Sequence, residues 1–434
     1  MKKSLHILGW TLWSSLALFA QNGQERTVEV NSEAGYKKTA FVKLQDTQAG
    51  AQVSYINDSS WDLAFKRDDN MDKGIRVNMS KFGAIEVREA ASDLSEWEAI
   101  SYSDNSQTSM PLLYNSNDYI FQGALDNGSA SQNMGPNGTL HIGWGEYQMS
   151  DHSIRGNRIF LLKYSAIKYV KMYVLKYLGV YTIKYAISDG TGGWQADQQA
   201  AIDNAVNPNN YLNYFSFENP TNSTTTVVEP AKDQWDFLFT NDYDLVPGTD
   251  IYYSYGMILQ NPKAAVAVTT SGNTDMPEEI HYSEDSNAIG KDFKVLSGYS
   301  YVPSTNNYFI KTEGGDVYQI NFVTFEGAST GKFSFTYKKV GRLSLEQHSD
   351  QVKFDIVPNP TVDKRVHLIY EVGTEGRSAI AIFSSTGALV YENQLNAASG
   401  LYEHSIDMSR YPVGVYIVKV NTGNQSQTKK VILK

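Results

Sequence analysis

The sequence predicts an all-β protein built of several domains in a row, and three observations carry that reading. Tyr and Phe are abundant, at 29 and 18 in 434 residues, and long helical patterns are few; aromatic and β-branched side chains pack well on a pleated surface. Short alternating runs bounded by Gly, Asn, Asp and Ser recur, among them Thr27-Val28-Glu29-Val30, Gly74-Ile75-Arg76-Val77 and Lys332-Phe333-Ser334-Phe335-Thr336-Tyr337, with the period of half-buried strands. The length suits about three domains, each with its own core.

Residues 1–20 open with Lys2 and Lys3, continue through an apolar stretch from Ile7 to Phe19 and end at a cleavage site after Ala20, the organisation of a secretory signal peptide. Ser14 and Ser15 interrupt the apolar core, which falls short of the roughly 20 apolar residues of a membrane span. No later stretch approaches that length, so no transmembrane segment is expected and the processed chain belongs outside the cytoplasm. The absence of cysteine excludes disulfides, thiolate metal sites, a cysteine nucleophile and a lipidated cysteine at the cleavage point. A net charge of −10, with no block of Lys and Arg, excludes nucleic acid as a partner because phosphates would be repelled.

Two central β domains are expected at 21–190 and 211–342. Between them, residues 191–210 read as a linker, with Gly192, Gly193, a small helical patch from Gln198 to Ala205, and Pro208. The domains look like copies. Trp61-Asp62-Leu63-Ala64-Phe65 answers to Trp235-Asp236-Phe237-Leu238-Phe239, and Asn157-Arg158-Ile159-Phe160-Leu161 answers to Asn307-Tyr308-Phe309-Ile310, in the same order and at similar spacing, as in a tandem duplication. Trp61, Phe65, Trp235 and Phe239 are expected in the core, since i and i+4 share one face of a strand. A polar stretch from Gly341 to Val352 then leads to a last piece, 351–434, with the size and turn spacing of a small Ig-like β-sandwich.

That last piece resembles the type A sorting domain of the type IX secretion system. The matching residues are Ile356-Val357-Pro358-Asn359-Pro360-Thr361, Ser385-Thr386-Gly387, Gly414-Val415-Tyr416-Ile417-Val418-Lys419-Val420 and the closing Lys429-Lys430-Val431-Ile432-Leu433-Lys434. The resemblance implies recognition by the type IX secretion machinery, cleavage of the domain, and a protein that is secreted or held on the outer cell surface.

The central pair resembles the HmuY-like haem-binding proteins, through Tyr211-Leu212-Asn213-Tyr214-Phe215-Ser216-Phe217, the two Trp-Asp strands, and Gly331-Lys332-Phe333-Ser334-Phe335-Thr336-Tyr337. That resemblance implies two tandem HmuY-like domains, haem as cofactor, haem or a haemoprotein as partner, and iron held between two axial His or Met side chains. Neutral imidazole and thioether both suit haem iron. Met134, His141, Met149 and His152 lie in the corresponding region of the first domain, with His141 and either Met149 or His152 as the preferred pair; Met276 and His281 are the counterparts in the second.

Other signals fall short of a site. Asp68-Asp69-Asn70-Met71-Asp72 has calcium-like spacing but lacks the glycine and distal Glu of a full loop. Gly327 to Lys332 has one residue too few for a phosphate loop and leads into a strand. No H-E-x-x-H, G-x-S-x-G or G-x-G-x-x-G occurs, and the protein is read as a non-enzyme. The leading expectation is an exported haem- or porphyrin-binding protein of the haemophore type. The alternative is a surface adhesion or glycan-binding β-module whose exposed aromatics, such as Trp144, Tyr147 and Trp194, stack on sugars or partner proteins.

Overall fold

The computed structural model describes residues 23–67, 73–81, 85–103, 105–130, 142–148, 150–220, 229–343, 354–372, 378–384, 387–395, 400–422 and 425–434. The signal peptide expected at 1–20 lies outside them. The fold is all-β, with helix confined to single short turns such as Leu94–Ala99.

Residues 23–343 form four sheets stacked face to face. One outer sheet has seven strands; the path Gln198–Asp203, Val180–Ile187, Tyr169–Tyr177, Ser153–Gly156, Gly145–Gln148 is joined by Ile159–Lys163 and Glu86–Ala91. Next comes a three-stranded inner sheet, Leu212–Phe215, Leu63–Lys66 and Ile75–Val77. A four-stranded inner sheet follows, Tyr252–Gln260, Phe237–Leu245, Lys38–Lys43 and Gln52–Asn57. The other outer sheet has five strands, ordered Arg26–Asn31, Lys332–Arg342, Asp316–Phe325, Asn307–Lys311 and Ala265–Thr269.

The period of two sets this stacking, because successive residues of an inner strand enter different cores. Leu63, Phe65 and Phe215 join Phe160, Val170 and Tyr181 between the seven- and three-stranded sheets. Ala64, Leu212 and Tyr214 turn the other way and meet Phe41, Leu238 and Leu259 between the two inner sheets. Ala40, Val42, Phe237 and Phe239 in turn meet Ile310, Ile320, Phe333 and Phe335 beneath the five-stranded sheet. Strands covered on both faces are largely apolar; every residue of Leu63–Lys66 and Leu212–Phe215 is buried, Lys66 and Asn213 being the polar exceptions.

Strand pairing runs across the boundary read from the sequence. Leu212–Phe215 pairs with Leu63–Lys66 in the register Tyr214 to Ala64. Lys38–Lys43 pairs with Phe237–Leu245 in the register Phe41 to Leu238. Each Trp-Asp strand is therefore completed by the strand that precedes the other. Arg26–Asn31 pairs with Lys332–Arg342, closing residues 23–343 on themselves. The stretch read as a linker with a helical patch contains the strand Gln198–Asp203, paired with Val180–Ile187. Burial of Ile202 in the first core, together with backbone pairing to an open edge, outweighs the alanine-rich helical preference there.

Phe65, Trp235 and Phe239 are core residues and Trp61 is half-buried against the core, but Trp and Phe of each motif do not share one face. Trp61 meets the Tyr214 ring edge-on at 5.2 Å between the inner sheets, whereas Phe65 lies in the first outer core. Trp235 and Phe239 divide in the same way. In both motifs the Trp-Asp pair precedes the strand, which starts at Leu63 or Phe237, so the alternation does not extend back to the Trp. The aspartates are pins. Asp62 accepts hydrogen bonds from Phe217 N and the Tyr164 hydroxyl, both at 2.8 Å, and faces Lys81 at 2.9 Å. Asp236 accepts from Leu44 N at 2.7 Å and Lys43 Nζ at 2.9 Å.

Residues 354–434 form a two-sheet sandwich that touches the first core of the body through Ile369, Val357 and Leu401. Phe354–Val357, Arg365–Val372 and Gly400–Asp407 face Leu389–Leu395, Ser378–Ser384, Gly414–Thr422 and Gln425–Leu433 over a core that includes Ile356, Leu368, Ile382, Val418 and Val431.

Candidate functional site

His141, Met149 and Met134 lie outside the described residues. His152 sits in the turn between Gly145–Gln148 and Ser153–Gly156 with φ of 55°, and its Nδ1 is 2.6 Å from the Tyr147 hydroxyl. It borders a cavity of about 160 Å³ with Ile154, Tyr177, Leu178, Gly179 and Leu401, below the roughly 300–1,000 Å³ usual for a cofactor-sized ligand. Met276 packs beside Ala267, Phe309 and Val317, and His281 is exposed on the turn Glu279–His281. Among the described residues no group of three or more His, Asp or Glu could hold a metal ion.

A polar cavity of about 60 Å³ lies between the inner sheets, lined by Arg76, Asn115, Tyr214, Glu229, Asp242 and apolar neighbours. That is room for a few waters. Arg76 meets Asp242 at 2.6 Å, and Arg76 Nη1 also donates to the carbonyls of Ser116 and Ile120. Glu229 accepts from the backbone N–H groups of Tyr211 and Leu212 and from the Tyr214 hydroxyl. Burial nevertheless pushes its carboxyl up to about 7. Nearby Asp58 is pushed up to about 6 by burial, against hydrogen bonds from Thr39 and Ser80. These buried carboxyls hold neighbouring segments together through their hydrogen bonds.

The exposed apolar surface lies elsewhere, where Tyr252–Gln260 meets the two-stranded hairpin Lys294–Ser297 and Ser300–Pro303. Leu296, Tyr299 and Tyr253 are exposed by 63%, 105% and 60%. Tyr253 and Tyr255 meet edge-on at 5.3 Å, and burial, followed by the nearby Tyr301, raises the pKa of the Tyr255 hydroxyl. Tyr301, paired with Leu296, extends this surface, while Val295 and Val302 are exposed on the other face of the hairpin. Lys294 fastens the hairpin by donating to the Gly256 carbonyl, its ammonium 4.2 Å from the Phe293 ring centroid; burial pulls its pKa down to about 7. The run Ile251-Tyr252-Tyr253-Ser254-Tyr255 was a sequence signal for this surface, since a solvated strand seldom carries so many large rings. Of the aromatics expected to be exposed, Trp144 is fully buried, because its indole N–H donates to the Lys73 carbonyl from within the first core. Tyr147 and Trp194 are half-buried.

The C-terminal sandwich explains why its motifs occur together. Asn359 Nδ2 donates to the Lys430 carbonyl at 2.7 Å and its Oδ1 accepts from Ile432 N at 3.0 Å. Thr361 N donates to the Ile432 carbonyl, and Lys434 N to that of Thr361. The opening Pro-Asn-Pro-Thr is thus clamped to the closing Lys-Lys-Val-Ile-Leu-Lys strand.

A multi-sheet β body followed by a terminal β-sandwich defines the class as an all-β protein. Residues 355–434 match the family model of the secretion system C-terminal sorting domain. The protein is accordingly secreted or held on the outer cell surface, and this domain engages the type IX secretion machinery. No curated protein matches the chain. Among solved structures, dimeric latent PorU from Porphyromonas gingivalis is similar at 9% identity and a TM-score of 0.17, covering 92% of this chain and 34% of its own. The chain thus spans about a third of that protein's length. The BSP domain of a biofilm associated protein is similar at 9% identity and a TM-score of 0.16, covering 93% of this chain and 67% of its own. Scores this low carry no argument about fold or role. None of these matches is to the HmuY-like family.

Proposed function

We propose that the protein is a non-catalytic adhesion module, delivered outside the cell by its sorting domain, which attaches to partner surfaces through the tyrosine-rich face of Tyr252–Gln260 and the hairpin 294–303. The observation that supports this most is the exposure of Leu296, Tyr299, Tyr301 and Tyr253, with Leu296 and Tyr301 paired across the hairpin. Large exposed apolar surface usually marks an interaction site, and tyrosine supplies wide contact area at little cost in rotamer entropy. The haem reading has less support. Of its preferred ligands only His152 is described, hydrogen-bonded to Tyr147 beside a cavity too small for a porphyrin.

The test is adhesion of secreting cells to protein-coated and glycan-coated surfaces, comparing the parent with a Tyr253→Ser, Tyr299→Ser, Tyr301→Ser triple variant. Adhesion is expected to fall at least about tenfold, since tyrosines commonly anchor interfaces. Equal adhesion with equal surface display overturns the reading. A haemin titration of the mature chain is expected to leave the Soret band at its free position; a saturable low-spin shift would favour the haemophore reading instead.

A further inference from the structure

On the outer face of the seven-stranded sheet, away from its core, lies an open pocket of about 480 Å³. Strand register assembles its floor. Glu86, Lys163 and Tyr169 stand abreast on three neighbouring strands, with Glu86 paired to Lys163 and Lys163 to Tyr169, while Arg88 pairs with Leu161 one step along. Val87, Leu162 and Val170 point the opposite way, into the first core, so alternation alone turns the polar set outward. The wall comes from the segment after the turn Leu94–Ala99. Tyr102 stacks on Tyr169 with ring centroids 4.7 Å apart and planes at 17°, and its hydroxyl accepts from Gly192 N at 2.7 Å.

Charge and shape together select a ligand. The Glu86 carboxylate is held by Lys163 Nζ at 2.6 Å and Arg88 Nη2 at 2.9 Å, leaving one net positive charge among the three. Burial works against ionisation of Glu86, but these two hydrogen-bonded cations outweigh it and hold its carboxyl below the usual range. The pocket therefore presents a fixed acceptor flanked by fixed donors, next to the hydroxyl-bearing Ser103 and Thr108 and a stacked aromatic pair. Adjacent sugar hydroxyls both donate and accept, and a pyranose carries an apolar C–H face. A bare anion would meet the Glu86 carboxylate, and an apolar ligand would strand three charges. The volume lies within the range of small-ligand sites.

We propose that this pocket binds a neutral saccharide, with Glu86, Arg88 and Lys163 holding adjacent hydroxyls and the Tyr102 and Tyr169 pair walling its C–H face. The inference rests on the adhesion reading for its biological setting, and names a ligand class at a site separate from the exposed tyrosine surface.

The test is saturation-transfer NMR and calorimetry on the full mature chain with lactose, maltose, cellobiose and mannobiose, and with inorganic phosphate as the anionic probe. At least one disaccharide is expected to bind saturably. Lys163→Met and Glu86→Gln are each expected to weaken binding about tenfold, the scale of one hydrogen bond to a charged group. Lys163 is more than a third exposed, so its variant keeps the test usable if Glu86→Gln does not fold. No binding by any of the four sugars, binding of phosphate alone, or undiminished binding by folded Lys163→Met overturns the proposal. The triple tyrosine variant separates the two readings: sugar binding retained with adhesion lost supports both, and sugar binding absent while adhesion depends on the tyrosines overturns this one alone.

Discussion

Glu229, Asp58 and Lys294 show how burial ties this protein's stability to pH. The two carboxyls titrate near about 7 and about 6, above their ordinary values, with burial as the main cause. Groups raised in this way stabilise the fold fully below the unfolded-state carboxyl range, and that contribution is lost as pH rises through the folded values. Lys294, lowered to about 7 by burial, works in the other sense; its contribution is full above the ordinary lysine range and is lost as pH falls towards 7. Between pH 5 and 7 the carboxyls therefore act alone among these three. The unfolding midpoint is expected to rise on going from pH 7 to pH 5, and Glu229→Gln to flatten that rise; calorimetric melts across the window check it. Between pH 7 and 9 the parent is expected to gain stability that Lys294→Met does not. These groups were not singled out in the sequence, since Glu229 and Asp58 look like ordinary loop carboxylates until the inner sheets close over them.

At the scale of elements, the sequence made the strands legible but not their partners. Alternating runs at 27–30, 75–77 and 332–337 are strands or lie within them, and the order of motifs in the last 80 residues foretold their clamped sandwich. The Trp-Asp motifs were recognised as alike, and their aspartates do pin neighbouring chain in the same way. What local pattern could not supply is that Lys38–Lys43 and Leu212–Phe215 each cross to the other motif's sheet, because an apolar strand buried on both faces fits any double-sided slot. The site was harder still. The haem candidates came from resemblance, whereas the polar pocket joins Glu86, Tyr102 and Lys163, which are distant in sequence and brought together by register and one loop. The crossing has a direct test. A fragment of residues 23–190 lacks one of the two partner strands of Leu63–Lys66 and of Lys38–Lys43, so it is expected to show poor amide dispersion alone. Co-expression with 191–343 is expected to restore a dispersed spectrum and a soluble complex. A well-folded 23–190 fragment would contradict the four-sheet stack.

For the whole molecule, the sorting domain and the proposed binding surfaces lie in different parts of the chain. The sorting sandwich has a core of its own, yet Ile369, with Val357 and Leu401 beside it, also packs into the first core of the body. Removing residues 351–434 is expected to leave the body folded, with a lower melting midpoint for the loss of Ile369 from its first core, while stopping its appearance outside the cell; calorimetry, and fractionation of secreting cells with the body found behind the outer membrane, check this. Similar extracellular amounts with and without those residues would mean that another signal drives export.

The pairing of the first strand with the last strand of the body sets how this molecule bears a load. The strand Lys332–Arg342 leads towards the sorting domain and is flanked by Arg26–Asn31 on one side and Asp316–Phe325 on the other. Tension arriving from a C-terminal attachment runs along that strand, while its antiparallel hydrogen bonds lie across the pull. They are loaded in shear and resist together, instead of parting one pair at a time as at a peeled edge. Under the proposed adhesion role, a pull from the C-terminal side would meet this shear-loaded pairing first.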